Sequence, residues 1–294
     1  MNAENRVISI DNLTKTYGKN RGIEAVTFDV TKGEIFGFLG PNGAGKSTTI
    51  RCLLKLIRPT GGRAEILGHD VVKEHREIMR HIGYIPSETQ FYPSMKVSEV
   101  IRFAADVRGT DCREEAAMLC ERLRVDTDKR IEELSLGNRK KVGIVCAMQH
   151  RPELFIFDEP TSGLDPLMQA EFFGLVQEYN AAGATCFLSS HVLSEVRKYC
   201  HRAAIIREGR LIACDTVEHL AHTGAKLVRV EGTDGLTLDG MSKVTRKDGG
   251  MEFVYSGDMN ALLKALSAAD VKDLSIEEPS LEDVFMQYYG GAEQ

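Results

Sequence analysis

No apolar run in this 294-residue chain approaches the ~20 residues that a membrane-spanning helix needs. The N-terminus also lacks the apolar core of a secretory signal. Any membrane role is therefore expected to go through a partner chain. Lysine and arginine, 37 together, are outnumbered by 43 acidic residues, for a net charge of -6. Non-specific nucleic-acid binding needs a basic surface, so the balance speaks against such a partner. The seven cysteines lie at positions 52, 112, 120, 146, 186, 200 and 214, none in a C-x-x-C pair. An odd, scattered set fits free thiols in a reducing cytosol rather than a disulfide framework. No internal repeat or low-complexity tract interrupts the chain. What remains is ordinary globular composition, with 43% hydrophobic and 27% charged residues, and a length that suits one large domain plus a small one or two comparable ones.

The stretch that organises the rest is Gly40-Pro41-Asn42-Gly43-Ala44-Gly45-Lys46-Ser47, which fits G-x-x-x-x-G-K-[ST]. The short apolar run 33–39 before it reads as a buried parallel strand. After it, Ile50, Leu53, Leu54 and Ile57 repeat at helical spacing until Pro59 and Gly61-Gly62 end the helix. A glycine-rich turn with a chance lysine would not need both flanks. Glycines let the backbone N–H groups form a nest around the β- and γ-phosphates at the positive end of the helix. Lys46 adds a positive charge there, and the Ser47 hydroxyl suits Mg²⁺. The chain is expected to bind a nucleoside triphosphate.

Upstream, 6–10 and 22–30 read as short antiparallel strands with residues 13–18 between them. Two readings stand for Tyr17: a ring that stacks on adenine, or a loop tyrosine packed on the sheet edge. Downstream come a strand over 62–68, a helix-compatible segment over 74–81 and a strand over 82–86. A polar loop over 87–94 follows, and then helices over 97–124 and 135–150 that suggest a helical subdomain. The apolar run 154–157 ends in Asp158-Glu159, and carboxylates at the end of a buried parallel strand face the ligand crevice. Asp158 suits the Mg²⁺ shell and Glu159 suits polarising the attacking water. Asp165-Pro166 marks a helix start. His191 ends the strand 184–190; position alone favours a structural histidine, while its place beside the acids brings the γ-phosphate within reach. A strand pair over 203–215 and a helix over 216–222 close this part. Strands at 226–230 and 251–255, a turn at 247–250, helices over 260–268 and 280–289 and a strand over 271–276 form a small α+β domain without obvious chemistry.

Together these residues resemble the ATP-binding cassette (ABC) ATPases over about residues 6–222. Gly40–Ser47 matches the Walker A loop, Leu154–Glu159 the Walker B strand with its glutamate, Ser162–Asp165 the D-loop, His191 the switch histidine and Tyr17 the adenine-stacking aromatic. The signature, normally LSGGQ, stands here as Leu134-Ser135-Leu136-Gly137-Asn138. The resemblance implies an α/β P-loop ATPase with a mixed sheet core, an antiparallel β edge and a helical subdomain at about 87–152, spanning 1–222, and an accessory domain over 223–294. It implies catalytic roles for Glu159, His191 and Lys46. It also implies nucleotide contacts from Tyr17, Gly40, Pro41, Asn42, Gly43, Ala44, Gly45, Lys46, Ser47 and Thr48. Ser47 and Asp158 would hold Mg²⁺. Ser135 and Gly137 would reach the ATP of a second subunit in a head-to-tail dimer, and Ser135 can offer a helix N-terminus to a phosphate.

Two departures accompany the match. Leu136 and Asn138 replace a glycine and the glutamine of the signature. Ser87 stands where the family keeps a glutamine after Pro86, so either Glu88, the nearer, or Gln90 would supply oxygen to Mg²⁺. The loop carrying Phe91 and Tyr92 is where the family meets a transmembrane partner; two readings stand for these rings, a groove for that partner or packing on the helical subdomain. The tail 278–285 resembles that of bacterial exporter ATPases. The implied function is ATP hydrolysis driving transport, in the export direction, through a separate permease at the cytoplasmic face of the membrane. Competing readings are a soluble ATP-gated clamp and a module that binds ATP with little hydrolysis. The clamp usually carries two cassettes or a coiled-coil insertion, and neither is present. Glu159 and His191 argue against the silent module. A GTPase is disfavoured because no N-K-x-D motif occurs.

Overall fold

A computed structural model describes residues 5–18, 20–221, 226–247 and 249–277. The chain divides into two compact units, the first ending at Val217 and the second beginning at Glu218.

The first unit opens with two long antiparallel strands, β1 (Arg6–Tyr17) and β2 (Asn20–Thr31), followed by β3 (Ile35–Leu39), whose five residues are all buried. The phosphate-loop sequence then runs into α1 (Lys46–Leu53). Next come β4 (Gly61–Ile66), β5 (His69–Asp70), the single turn α2 (His75–Ile78) and β6 (Ile82–Ile85). Three helices follow, α3 (Val97–Arg108), α4 (Arg113–Arg122) and α5 (Leu136–Met148). The chain returns to the sheet with β7 (Leu154–Asp158), α6 (Pro166–Ala181), β8 (Thr185–Ser190), α7 (Leu193–Tyr199) and the hairpin β9 (Arg202–Arg207) and β10 (Arg210–Thr216). The short α8 (Val217–Ala221) comes after it.

Two sheets result. One is antiparallel in the order β2-β1-β4-β5; the other has the order β10-β9-β3-β8-β7-β6 and is parallel except for the edge strand β10. Parallel strands covered on both faces read as continuous apolar runs, as β3 and β7 do. The core joins the two sheets: Phe28 of β2 stacks 5.4 Å from Phe36 of β3 and 6.1 Å from Phe187 of β8. Register puts Leu39 opposite Ser190 and Asp158 opposite Ser189. The loops after β3, β7 and β8 therefore leave the sheet at one edge, where open α/β sheets bind ligands.

The second unit continues with β11 (Lys226–Glu231), β12 (Met241–Lys247), β13 (Gly250–Tyr255), α9 (Met259–Ser267) and β14 (Asp273–Glu277). Its antiparallel sheet, β12-β13-β11-β14, has a core of its own in which Val228, Phe253 and Tyr255 meet Leu262 and Leu266 of α9.

Several expectations are corrected. The first strand does not stop at residue 10: β1 runs on to Tyr17, with bulges absorbing the irregular pattern. The single helix expected over 97–124 is two, because Gly109 takes a left-handed φ of 67° and stops α3. The helix after the phosphate loop ends at Leu53 rather than continuing to Ile57. The polar segment 74–81 forms one helical turn, with Glu74 as its N-cap. The strands β5 and β12 and the helix α7 were not foreseen. The helix expected over 280–289 and the tail 278–285 lie outside the described residues.

Candidate active site

Glycine sets the geometry of the loop between β3 and α1. Gly45 caps α1 at φ 112°, a region that favours glycine, and a Cβ there would lie 2.8 Å from Ile23 Cγ2. Among the described residues no side chain caps this helix, so its first N–H groups are open to a ligand, and an anion is the natural one. Lys46 is only 6% exposed. Its Nζ donates to the carbonyls of Gly40 (2.7 Å) and Pro41 (3.2 Å) and lies 3.0 Å from Glu159 Oε1.

The two acids at the end of β7 have different surroundings. Asp158 is 1% exposed, and its Oδ1 accepts from Ser47 Oγ (3.1 Å) and Ser189 Oγ (2.7 Å). Its Oδ2 is buried with no hydrogen-bond partner among the described residues. A buried carboxylate oxygen left unpaired is costly. Beside a hydroxyl and a phosphate loop it fits a hard divalent cation that takes oxygen ligands, Mg²⁺ above all. Burial, with the Asp158 charge adding to it, pushes the nearby Tyr84 phenol up to about 12.

Glu159 turns the chain with a left-handed φ of 50°, uncommon for any residue other than glycine. Its N–H donates to Ser189 Oγ at 3.1 Å, and its carbonyl accepts from Lys140 Nζ at 3.2 Å. Its Oε2 is 2.7 Å from His191 Nδ1, and the half-exposed His191 ring sits at the mouth of the site. Lys46, Ser47, Asp158, Glu159 and His191 are thus brought together from the start of α1, the end of β7 and the residue after β8. Ser189 and Lys140, which join them, were not anticipated. The signal for Ser189 was a pair of hydroxyls ending an apolar strand; for Lys140 it was a charge inside the buried face of α5.

Other expected residues sit elsewhere. Ser135 is the N-cap of α5 and accepts from Asn138 N–H at 3.3 Å. Gly137 lies so close to the D-loop that a Cβ on it would be 2.5 Å from Gly163 O. Among the described residues no hydrogen bond joins Ser135 or Gly137 to the phosphate loop. Leu136 is 75% exposed beside them. Tyr17 ends β1 with its ring against Gly22 and the Lys15 ammonium 5.3 Å from its centroid. Glu88 and Gln90 are both exposed, and among the described residues neither makes a hydrogen bond to the site. Phe91 and Tyr92 line a cavity of about 1140 Å³ together with Gln90, Phe103 and Val107.

Comparison with known proteins assigns the family. The ABC transporter pattern matches residues 23–162, and that of the C-terminal domain of DrrA1-3-like ATP-binding proteins matches residues 220–289. The chain is 36% identical to the bacitracin transport ATP-binding protein BcrA of Bacillus licheniformis, covering 97% of this chain and 98% of that one. It is 30% identical to the linearmycin resistance ATP-binding protein LnrL of Bacillus subtilis, over 97% and 98% respectively. A solved ATP-binding subunit of an ABC transporter superposes with a TM-score of 0.69 at 32% identity, over 73% of this chain and 91% of that one. The chain belongs to the ABC transporter family as an ATP-binding subunit, an ATPase with the α/β P-loop fold.

Proposed function

We propose that this subunit powers export through a permease carried on a separate chain, closing head to tail on a second ATPase subunit when ATP binds and reopening after hydrolysis. The observation that carries the reading is the convergence of Lys46, Ser47, Asp158, Glu159 and His191 at the C-terminal edge of the parallel sheet. The phosphates of ATP would lie on the free N–H groups of α1, with Lys46 at the β- and γ-phosphates. Tyr17 would stack on adenine, and residues 40–48 would wrap the phosphates. Ser47 Oγ and Asp158 would hold Mg²⁺, the Asp158 Oδ2 oxygen being without a hydrogen-bond partner among the described residues. Bound there, Mg²⁺ supplies positive charge against the charge that develops on the phosphoryl oxygens.

Glu159 orients the water and takes its proton, and His191 holds the carboxylate and offers a hydrogen bond to the γ-phosphate. Ser135 and Gly137 act on the ATP of the other subunit, and Leu136, exposed between them, belongs to that shared face. Either Glu88 or Gln90 would complete the Mg²⁺ shell, Glu88 being the nearer to Pro86 in sequence. The groove lined by Phe91 and Tyr92 receives the permease. Export is the direction favoured because relatives are named for bacitracin transport and linearmycin resistance. The chain would work on the cytoplasmic side of the membrane; among the described residues no helix is long and apolar enough to cross one. No nucleic acid is involved. Cell fractionation tests this: the chain should sediment with membranes and be released by alkaline carbonate. Recovery in the soluble fraction alone would contradict it.

A further inference from the structure

Lys140 is 3% exposed on α5, where Val142, Ile144 and Val145 are also buried. An ammonium in such surroundings is held only if its donors are met. All three are: Nζ donates to the carbonyls of Pro86 (3.1 Å), Ser87 (2.8 Å) and Glu159 (3.2 Å). No carboxylate oxygen lies within ion-pair distance of it among the described residues; the charge faces backbone dipoles instead. Two of those carbonyls open the loop that continues to Gln90, Phe91 and Tyr92, residues of the cavity described above. The third belongs to the left-handed residue at the end of β7. Glu159 is pinned there from both sides, its N–H by Ser189 and its C=O by Lys140.

We propose that Lys140 is a positioning residue for hydrolysis, tying the loop after β6 to the turn that aims the Glu159 carboxylate. The inference rests on the reading of Glu159 as the group that activates water. A shift of the loop, such as a partner seated in the adjoining cavity would impose, moves two of the acceptors of Lys140 and is passed to the third. Lysine suits the task because its three donors radiate from one atom, so one side chain serves two segments. Burial lowers the Lys140 pKa, and the nearby Asp158 and Glu159 charges oppose that shift.

The test uses the purified full chain with Lys140→Met, Lys140→Arg and Lys140→Gln beside Glu159→Gln. Lys140→Met should bind ATP within about threefold of wild type while kcat falls about tenfold or more at unchanged KM, and Lys140→Arg should recover most of that loss. Hydrogen exchange should quicken together over residues 87–90 and 159–163 and stay as in wild type over 40–49. Lys140→Gln, which keeps two donors, should show the same pattern more weakly and serves if Lys140→Met does not fold. Unchanged kcat, a loss confined to KM, or faster exchange in only one of the two segments would overturn the proposal. Wild-type turnover by Glu159→Gln, with the paired exchange intact in the Lys140 variants, would instead remove the assumed role of Glu159 and leave the tie standing.

Discussion

Lys46 Nζ lies 3.0 Å from Glu159 Oε1, while the other oxygen of the same carboxylate, Oε2, takes His191 Nδ1 at 2.7 Å. Oε2 is hydrogen-bonded, whereas Oε1 has Lys46 as an ion-pair neighbour and no hydrogen-bond partner among the described residues, so the lysine that would meet phosphate faces the acid that would activate water. On the proposed reading, an arriving polyphosphate would offer Lys46 a more highly charged anionic partner and would leave Oε1 free. Nucleotide binding and the freeing of the proposed base would then be one event.

Lys46→Met removes the charge at the phosphates and leaves Glu159 with His191 alone. Hydrogen bonds to charged groups contribute ~1.5–3 kcal/mol, so ATP affinity should fall about tenfold to hundredfold. Titration with a fluorescent ATP analogue measures it. An unchanged affinity would mean that the phosphates do not lie against this lysine.

Gly45→Ala introduces a Cβ at 2.8 Å from Ile23 Cγ2 on a backbone with φ 112°. The combination of overpacking and strained backbone should lower stability by about 1–3 kcal/mol and weaken ATP binding with it. Denaturant unfolding and the same titration read the two effects. A variant as stable and as tight as wild type would show that the loop is not held in this conformation.

Gly137→Ala places a methyl 2.5 Å from the carbonyl of Gly163, a backbone atom that cannot turn aside. The signature helix and the D-loop must separate. Binding of ATP to the phosphate loop of the same chain should be unaffected, whereas turnover should fall about tenfold or more, since an ångström of misplacement is enough for that. Equal losses in binding and turnover would place Gly137 among the contacts of its own phosphate loop.

His150 supplies a pH dependence away from the chemistry. Its Nε2 lies 3.2 Å from Ile82 O, and burial, aided by the Arg108 charge, lowers its pKa from 6.5 to about 4. Between those values the unfolded chain binds a proton that the folded chain refuses. Its contribution to stability is therefore complete above pH 6.5 and declines as the pH falls towards 4. Melting temperatures at pH 7 and pH 5 should differ more for wild type than for His150→Gln, which keeps a donor for Ile82 O. Equal differences would exclude the histidine as a source.

The phosphate loop, the acids of β7 and the N-cap Asp165 were legible because each depends on local chemistry: glycines where φ is positive, acids at a strand end, a side-chain acceptor before Pro166. Asp165 does accept from Met168 N–H at 3.0 Å. Lys140 and Ser189 were not legible, since their partners are 19 and 53 or 54 residues away in one case and 30 or 31 in the other. The division of α3 from α4 at Gly109 was missed because paired charges continue across it at helical spacing. The hairpin strand β12 escaped notice for the opposite reason: Ser242, Lys243, Thr245 and Arg246 supply too little apolar alternation to announce a strand that its pairing with β13 creates.

Under the proposed mechanism, Glu159 activates the water once ATP has taken Lys46 from it. The most direct measurement is ATP turnover by wild type and Glu159→Gln, with the oligomeric state of each followed by light scattering in ATP. The variant should bind ATP, lose turnover by about 10² to 10⁴ and accumulate as an ATP-bound dimer. Turnover at the wild-type rate would contradict it and move the base elsewhere in the site.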